Sequence, residues 1–301
     1  MNAVNGVRVQ DAGPVARRRR RRYLAAIGVA PFLAYVGFFL IVPAASVMVE
    51  AFRDNNGGLS FSNLATVVSS KSPWLHSYAL SLELSAASAV LAGILGLVGT
   101  VALVSSPNRI VRRLVTTACG VLANTGGVPL AFAFIATIGN AGVATHILSE
   151  IGFNPYNHGF SLYSFTGLVV VYLYFLLPLV ILLMLPPVEA LRSEWREAAS
   201  TLGASPRHYW QKVGLPVLTP PFIATLMVLF MDAFAAYATA QALTTGSIPL
   251  VPIEIGALLA GNVVTNQANL GDALGLGMIV IVAAAGTLYV IVQRKTSRWL
   301  R

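Results

Sequence analysis

Long apolar stretches separated by short polar connections dominate the pattern of this chain. Six stretches of about 20 or more largely apolar residues occur, at residues 23–49, 78–104, 114–138, 165–185, 217–243 and 272–292. A helix of about 20 residues crosses the roughly 30 Å hydrocarbon core of a bilayer and satisfies its own backbone hydrogen bonds there. The pattern therefore predicts an all-α membrane protein with six transmembrane helices.

The composition supports a membrane environment. Of the 301 residues, 56% are hydrophobic and only 10% are charged, whereas a soluble domain carries about 25% charged residues. The net charge of +9 comes from short basic clusters between apolar runs and does not follow one polar face. This distribution argues against a nucleic-acid partner.

The basic clusters also predict the orientation in the membrane, because cytoplasmic connections carry an excess of Lys and Arg. Eighteen of the 20 basic residues fall in the N-terminal tail, the second and fourth connections and the C-terminal tail, and the other two are Arg53 and Lys71. We therefore expect cytoplasmic tails at residues 1–22 and 294–301, with a six-span domain at 23–293 between them.

The cysteine and histidine residues of the sequence do not indicate a disulfide or a metal site. Cys119 is the single cysteine, so the chain cannot form an intrachain disulfide. The four histidines are scattered, with no cysteine or carboxylate at metal-ligand spacing. We expect no metal site and no cofactor bound by this chain.

The fourth connection predicts two short helices joined by a tight turn. Residues 191–202 have an amphipathic pattern, and Gly203 suits a turn with an unusual backbone angle. Ser205 and Pro206 then provide a helix start. Such a segment forms a compact knob at the cytoplasmic face, and the simpler alternative is a loop whose charges only fix topology.

The knob contains a spaced motif: Glu197-Ala198-Ala199, three residues, Gly203, nine residues, and then residues 213–216, Val-Gly-Leu-Pro. It resembles the cytoplasmic signature of ABC importer permeases, with Val213 replacing the usual Ile. The resemblance implies a type I ABC importer permease architecture with a coupling loop at 188–216. In that family Glu197 would stabilise the helix turn and engage an ATPase subunit. Ala198 and Ala199 would allow close approach, and Gly203 would form the bend. Leu215 and Pro216 would complete the motif.

The resemblance extends from the first span to the C-terminus, and it implies several partners. These are two ABC ATPase subunits that carry ATP and Mg, a second homologous permease, an external substrate-binding protein and the lipid of the bacterial inner membrane. The chain itself has no Gly-x-x-x-x-Gly-Lys-Ser/Thr phosphate loop. It is therefore expected to be a transport subunit and not an enzyme.

Within the family the chain is most similar to permeases of the spermidine/putrescine type, which implies a polyamine or another organic cation as solute. Relatives for thiamine, iron, phosphonate or sugar are the alternatives. An ion-coupled secondary transporter predicts inverted repeats and paired intramembrane charges. A membrane enzyme predicts a cluster of catalytic groups, and the sequence shows none of these features.

Carboxylates inside spans are candidates for function because their insertion into lipid is unfavourable. Asp232 lies in the middle of the fifth predicted span, with the aromatic residues Phe234 and Tyr237 nearby. It could attract a cationic solute, with the rings of Phe234 and Tyr237 supplying aromatic faces for an ammonium group, or it could make a hydrogen bond between helices. For Glu83 in the second span we favour a structural role.

The third predicted span is interrupted by the sequence Asn124-Thr125-Gly-Gly-Val-Pro129. Proline removes a backbone hydrogen bond that another group must replace. Broken helices in membranes are tolerated where they line protein interior or a water-filled path. We therefore expect Asn124, Thr125 and Pro129 either to line a translocation path or to mark a plain kink.

Overall fold

The computed structural model describes residues 28–53, 58–69, 72–260 and 268–297. These residues are almost entirely helical, and the one sheet-type pairing among them is an antiparallel bridge between Arg53 and Leu59. Six helices in the described ranges are long and apolar enough to cross a membrane. The prediction of an all-α membrane fold with six spans is confirmed. The predicted N-terminal tail at 1–22 and residues 298–301 of the predicted C-terminal tail at 294–301 lie outside the described residues, whereas residues 294–297 continue the last helix.

The helices of the described ranges are short connecting helices alternating with longer ones. In chain order they are α1 (Gly28–Glu50), α2 (Ser62–Val68), α3 (Pro73–Ser105), α4 (Arg109–Leu122), α5 (Val128–Ile138), α6 (Val143–Glu150), α7 (Phe165–Glu189), α8 (Ser193–Thr201), α9 (Pro206–Tyr209), α10 (Leu215–Ala235), α11 (Ala238–Thr244), α12 (Val251–Leu259) and α13 (Ala268–Ser297).

The chain divides into two units between Glu50 and Ala51. In the first unit, α1 is a 23-residue helix with a π-helical turn at Gly37–Ile41. The second unit, from Ala51 onward, contains all the other helices and is described below.

The core of the second unit lies where α3 packs along α7 and α10. Small residues on α3 make this approach possible: a side chain at Gly96 would place its Cβ 2.6 Å from Val180, and one at Gly93 would lie 2.4 Å from Leu226. In lipid, helices associate mainly by such close packing. Gly93 and Gly96 therefore determine the distance between the three central helices.

A second cluster joins α12 and α13 to the beginning of α3 and to α10. The Tyr78 hydroxyl donates a hydrogen bond to the Leu274 carbonyl oxygen at 2.6 Å. Gly277 allows this contact, because a Cβ there would lie 2.2 Å from the Tyr78 hydroxyl. The sixth span is thus held to the second by a buried polar contact.

Two predicted spans differ from the observed helices. The third, predicted at 114–138, is divided between α4 and α5, and the helix of membrane length is Val128–Glu150. Helix α4 ends at Leu122, and Gly127 precedes α5 with a φ of +80°, which is incompatible with a helix that continues through it.

The fifth predicted span, 217–243, is also two helices. Its long segment begins at Pro206 and ends at Ala235, where Ala236 turns to an extended backbone with ψ of 97°. Pro216 lies in the first turn of α10, and Pro220 and Pro221 lie inside this helix without ending it. The span therefore begins and ends earlier than the apolar pattern predicts.

Candidate functional site

The fourth connection forms the two-helix knob that the sequence predicts. Helix α8 ends in a left-handed turn at Gly203, with φ of +76°. The Gly203 N–H donates to the Ser200 carbonyl at 3.0 Å, and the Ala204 N–H donates to the Ala199 carbonyl at 2.9 Å. This pair of bonds is a Schellman cap, which satisfies the last carbonyls of the helix. The turn that the sequence predicts at Gly203 is therefore stabilised by backbone hydrogen bonds.

The second half of the knob runs directly into the fifth span. The Ser205 side chain caps α9 by accepting a hydrogen bond from the His208 N–H at 3.3 Å. A π-helical turn at Trp210–Gly214 then connects α9 to α10. Gly214 packs against the Trp210 ring, where a Cβ would lie 2.5 Å away. The sequence did not reveal this direct connection of the knob to a membrane helix.

The motif residues lie mostly on the outer surface of the knob. Glu197 and Ala198 are exposed and Ala199 is half-buried, and Leu215 and Pro216 are exposed at the start of α10. An exposed patch with small side chains offers a partner a close approach.

The backbone of Glu197 takes part in the last turn of α8. Its carbonyl oxygen accepts hydrogen bonds from the Ser200 hydroxyl at 2.7 Å and the Thr201 hydroxyl at 3.0 Å. The Glu197 carboxylate makes no hydrogen bond or ion pair with any residue that the structure describes.

The base of the knob is tied to the rest of the second unit. Arg112 of α4 forms an ion pair with Glu189, the last residue of α7. A cavity of about 340 Å³ lies between the knob and the ends of α3 and α7, lined in part by Val101, Arg196 and Trp210. The knob therefore contacts the bundle along its edges and leaves a gap beneath α8.

The polar residues of the fifth span are placed differently from the prediction. Asp232 lies in the last turn of α10, not in the middle of a span, and it is exposed on the surface of the chain. Its carboxylate makes no hydrogen bond with a described residue. An interhelical hydrogen bond within the described part of the chain is thus not observed.

The aromatic neighbours of Asp232 divide into one buried and one exposed ring. Phe234 is only 1% exposed and stacks on Phe230 in the core, so the idea that it presents a face to a ligand is wrong for this conformation. Tyr237 is 43% exposed. Its ring packs over Gly256 of α12, where a Cβ would lie 3.0 Å away. Tyr237 is therefore the aromatic side chain accessible from outside the chain.

The predicted interruption at 124–129 is a true break between two helices. The side chains of Asn124 and Thr125 bond back to α4, at the carbonyls of Gly120 (3.0 Å) and Val121 (2.9 Å). Pro129 lies in the first turn of α5, where its missing N–H leaves no hydrogen bond unmade. Pro129 thus starts a helix and does not kink one.

The two broken segments meet each other. Helix α5 packs against α11, and the backbone of Gly127 contacts the side chain of Thr239, with the Gly127 N–H 2.8 Å from the Thr239 hydroxyl. The break after Ala235 and the role of Thr239 were both missed at the sequence level. No sequence signal in the fifth span marks them, because Ala236 and Tyr237 are common in helices.

Comparison with known proteins places this architecture in a family. A family model described as "Binding-protein-dependent transport system inner membrane component" matches residues 90–301. The chain is 28% identical over 176 residues to the "Probable sulfate transport system permease protein cysT" of Anthoceros angustus, covering 57% of this chain and 59% of that protein. It is also 28% identical over 162 residues to the "Trehalose/maltose transport system permease protein MalF" of Thermococcus litoralis, covering 53% of each. The chain thus spans little more than half the length of these relatives.

Two solved structures share the fold across nearly the whole chain. One is a bacterial ABC transporter involved in the import of the acidic polysaccharide alginate, with a TM-score of 0.69, 16% identity, and coverage of 95% of this chain and 99% of that chain. The other is the bacterial alginate ABC transporter in complex with an alginate pentasaccharide-bound periplasmic protein, with a TM-score of 0.71, 15% identity, and coverage of 94% and 96%. At these identities the similarity concerns the fold. Because the family model covers well over half of the chain, the protein belongs to the inner-membrane components of binding-protein-dependent transport systems.

Proposed function

We propose that the chain is a permease subunit of an ATP-binding-cassette importer, which moves a small solute into the cytoplasm by alternating access. A separate ATPase subunit drives the movement. The observation that carries the proposal is the knob: a Schellman-capped turn at Gly203 presents an exposed α8, and a continuous helical segment leads from Pro206 to Ala235 in the membrane. A displacement of the knob by a partner would thus be transmitted along this segment.

The same proposal defines the assembly. The partners are two ATPase subunits with ATP and Mg, a second homologous permease and an external substrate-binding protein. The coupling loop and both termini lie in the cytoplasm of a bacterial cell, in accordance with the distribution of Lys and Arg. The exposed, unpaired Glu197 carboxylate supports a basic contact on the ATPase subunit.

The function is tested by purifying the tagged chain from the membranes of its own host in mild detergent. An ATPase with a phosphate loop and a second permease should copurify with it. Uptake into membrane vesicles should require ATP on the cytoplasmic side and should persist when a protonophore removes the ion gradient. Uptake that persists without ATP and stops with the protonophore would show an ion-coupled secondary transporter instead.

For the solute we propose a polyamine or another organic cation. The support is Asp232, an exposed carboxylate in the last turn of α10 without a partner among the described residues, and Tyr237, an exposed ring five positions later. A carboxylate and an aromatic face together suit an ammonium group. The names of the relatives point to other solutes, namely sulfate and trehalose/maltose, so the solute requires its own test.

Replacing Asp232 by Asn should reduce uptake of radiolabelled spermidine by about tenfold or more, because one charge-assisted contact contributes about 1.5–3 kcal/mol. The Asp232→Glu variant, which keeps the charge, should retain a larger part of the uptake. Copurification of the ATPase should be the same for both variants and the native chain. Uptake of spermidine that is unaffected by Asp232→Asn, or uptake of sulfate or maltose in its place, would contradict the cation proposal.

A further inference from the structure

Two helix breaks in the second unit are joined by one side chain, Thr239 of α11. The Gly127 N–H donates to the Thr239 hydroxyl oxygen at 2.8 Å, and the hydroxyl donates to the Gly127 carbonyl oxygen at 3.3 Å. Thr239 is only 3% exposed. A hydroxyl has one donor and two acceptor positions, so a single side chain bonds to both backbone groups of Gly127, whose carbonyl also accepts from the Ala131 N–H at 3.2 Å.

This contact differs from the usual behaviour of threonine in these helices. Thr100, Thr137 and Thr244 each donate to the carbonyl four residues earlier in their own helix. Thr239 instead bonds to a residue 112 positions away in the sequence. Its hydroxyl therefore contributes to tertiary structure and does not stabilise its own helix.

The backbone at Gly127 makes the contact specific. Its φ of +80° and ψ of −156° are available to glycine and are unfavourable for other residues. Backbone groups freed by a break in a membrane protein must find partners within the protein, because lipid offers none. Without Thr239, the Gly127 N–H would lose its one partner among the described residues, whereas the Gly127 carbonyl would keep its bond from the Ala131 N–H.

The fifth-span break is itself fixed to the core. The Tyr172 hydroxyl of α7 donates to the Ala236 carbonyl at 3.1 Å, and Tyr172 is 1% exposed. Contacts therefore run from α7 to Ala236, along the chain to Thr239, and from Thr239 to Gly127. Two exposed side chains lie close to this route along the chain: Asn124, before Gly127, and Tyr237, before Thr239.

We propose that Thr239 is a positioning residue for transport, which joins the two breaks so that they move as one unit during alternating access. Its hydroxyl fixes the segment from Asn124 to Gly127 relative to Tyr237. These two parts of the proposed solute path therefore keep the same relative position when the helices move. This role rests on the proposed transport function. Neither the Asn124 nor the Tyr237 side chain hydrogen-bonds to Thr239, so Thr239 acts through the backbone of Gly127.

The proposal is tested with cysteine labelling in the assembled complex. In a Cys119→Ala background, Asn124→Cys should react with a membrane-impermeant maleimide at a rate that differs between the resting complex and the complex trapped with ATP and vanadate. Adding Thr239→Val, which keeps the shape and removes the hydroxyl, should change the resting rate about fivefold, the effect of one lost hydrogen bond. It should also remove most of the dependence on the trapped state.

Two matched variants complete the experiment. Thr239→Ser keeps the hydroxyl and should restore both the resting rate and its dependence on trapping, whereas Thr244→Val removes a hydroxyl that bonds only within α11 and should leave both unchanged. Identical labelling of Thr239→Val and the native residue in both states would overturn the proposal.

Hydrogen exchange on the unmodified complex provides a readout that requires no variant. The Gly127 amide should exchange much more slowly than the amide of the exposed Gly126. Exchange of both amides at the same rate would overturn the proposal. This outcome can be measured even if the Thr239→Val chain fails to assemble. Failure of the transport function would be recognised separately, as an unmodified chain that purifies without an ATPase.

Discussion

A Gly203→Val chain should reach the membrane and yet lose most of its copurified ATPase. Gly203 has a φ of +76°, a region in which a β-branched side chain clashes with its own backbone. The strain of roughly 1–2 kcal/mol falls on the turn that orients α8, and the turn would open to relieve it. The amount of ATPase that copurifies with the tagged chain, relative to native, measures the effect.

Two other substitutions separate the turn from general instability. Gly203→Asn should retain most of the ATPase, because asparagine adopts left-handed angles more readily than valine. Gly159→Val introduces the same strain at φ of +83°, in the connection after α6 and away from the knob, and should leave copurification intact. Equal copurification of Gly203→Val and the native chain would contradict the proposed role of the turn.

Replacing Gly96 by Val should cause the largest loss of folded protein. The new Cβ would lie 2.6 Å from both Cβ and Cγ1 of Val180, so α3 and α7 would have to separate along their contact. Overpacking of this kind is destabilising by about 1–3 kcal/mol or more. The yield of monodisperse protein after detergent extraction should fall several-fold, with a lower midpoint of thermal unfolding.

Gly99 offers a matched control in the same helix. A Cβ at Gly99 meets only Ile181 Cδ1, at 3.9 Å, which is an ordinary contact. Gly99→Val should therefore extract and unfold like the native protein. If Gly96→Val and Gly99→Val behaved alike, the close packing of α3 on α7 would not limit stability.

Much of this fold could be predicted from hydropathy alone, because a membrane helix must satisfy its backbone internally and must be apolar over about 20 residues. The knob was also predictable. Gly203 and Ser205 have local roles, as a left-handed cap and a helix N-cap, and such roles can be recognised from a few neighbouring residues.

The contacts between distant segments could not be read from the sequence. At the break after Ala235 the Ala236 carbonyl accepts from the Tyr172 hydroxyl, and at the other break the Gly127 N–H donates to Thr239. Both partners lie far away along the chain, and neither residue type is unusual in a helix. The same limit explains why Phe234 was proposed to face a ligand: the apolar pattern of α10 does not show which of its faces is covered by α3 and α13.

The central claim is that the knob from α8 to α10 faces the cytoplasm and contacts an ATPase subunit. Leu202 is 86% exposed at the tip of the knob, so a Leu202→Cys, Cys119→Ala chain gives a direct test with a membrane-impermeant maleimide. The account predicts no labelling in spheroplasts, labelling in inside-out vesicles stripped of the ATPase, and protection when the ATPase is restored. Labelling from the outside of spheroplasts would contradict it.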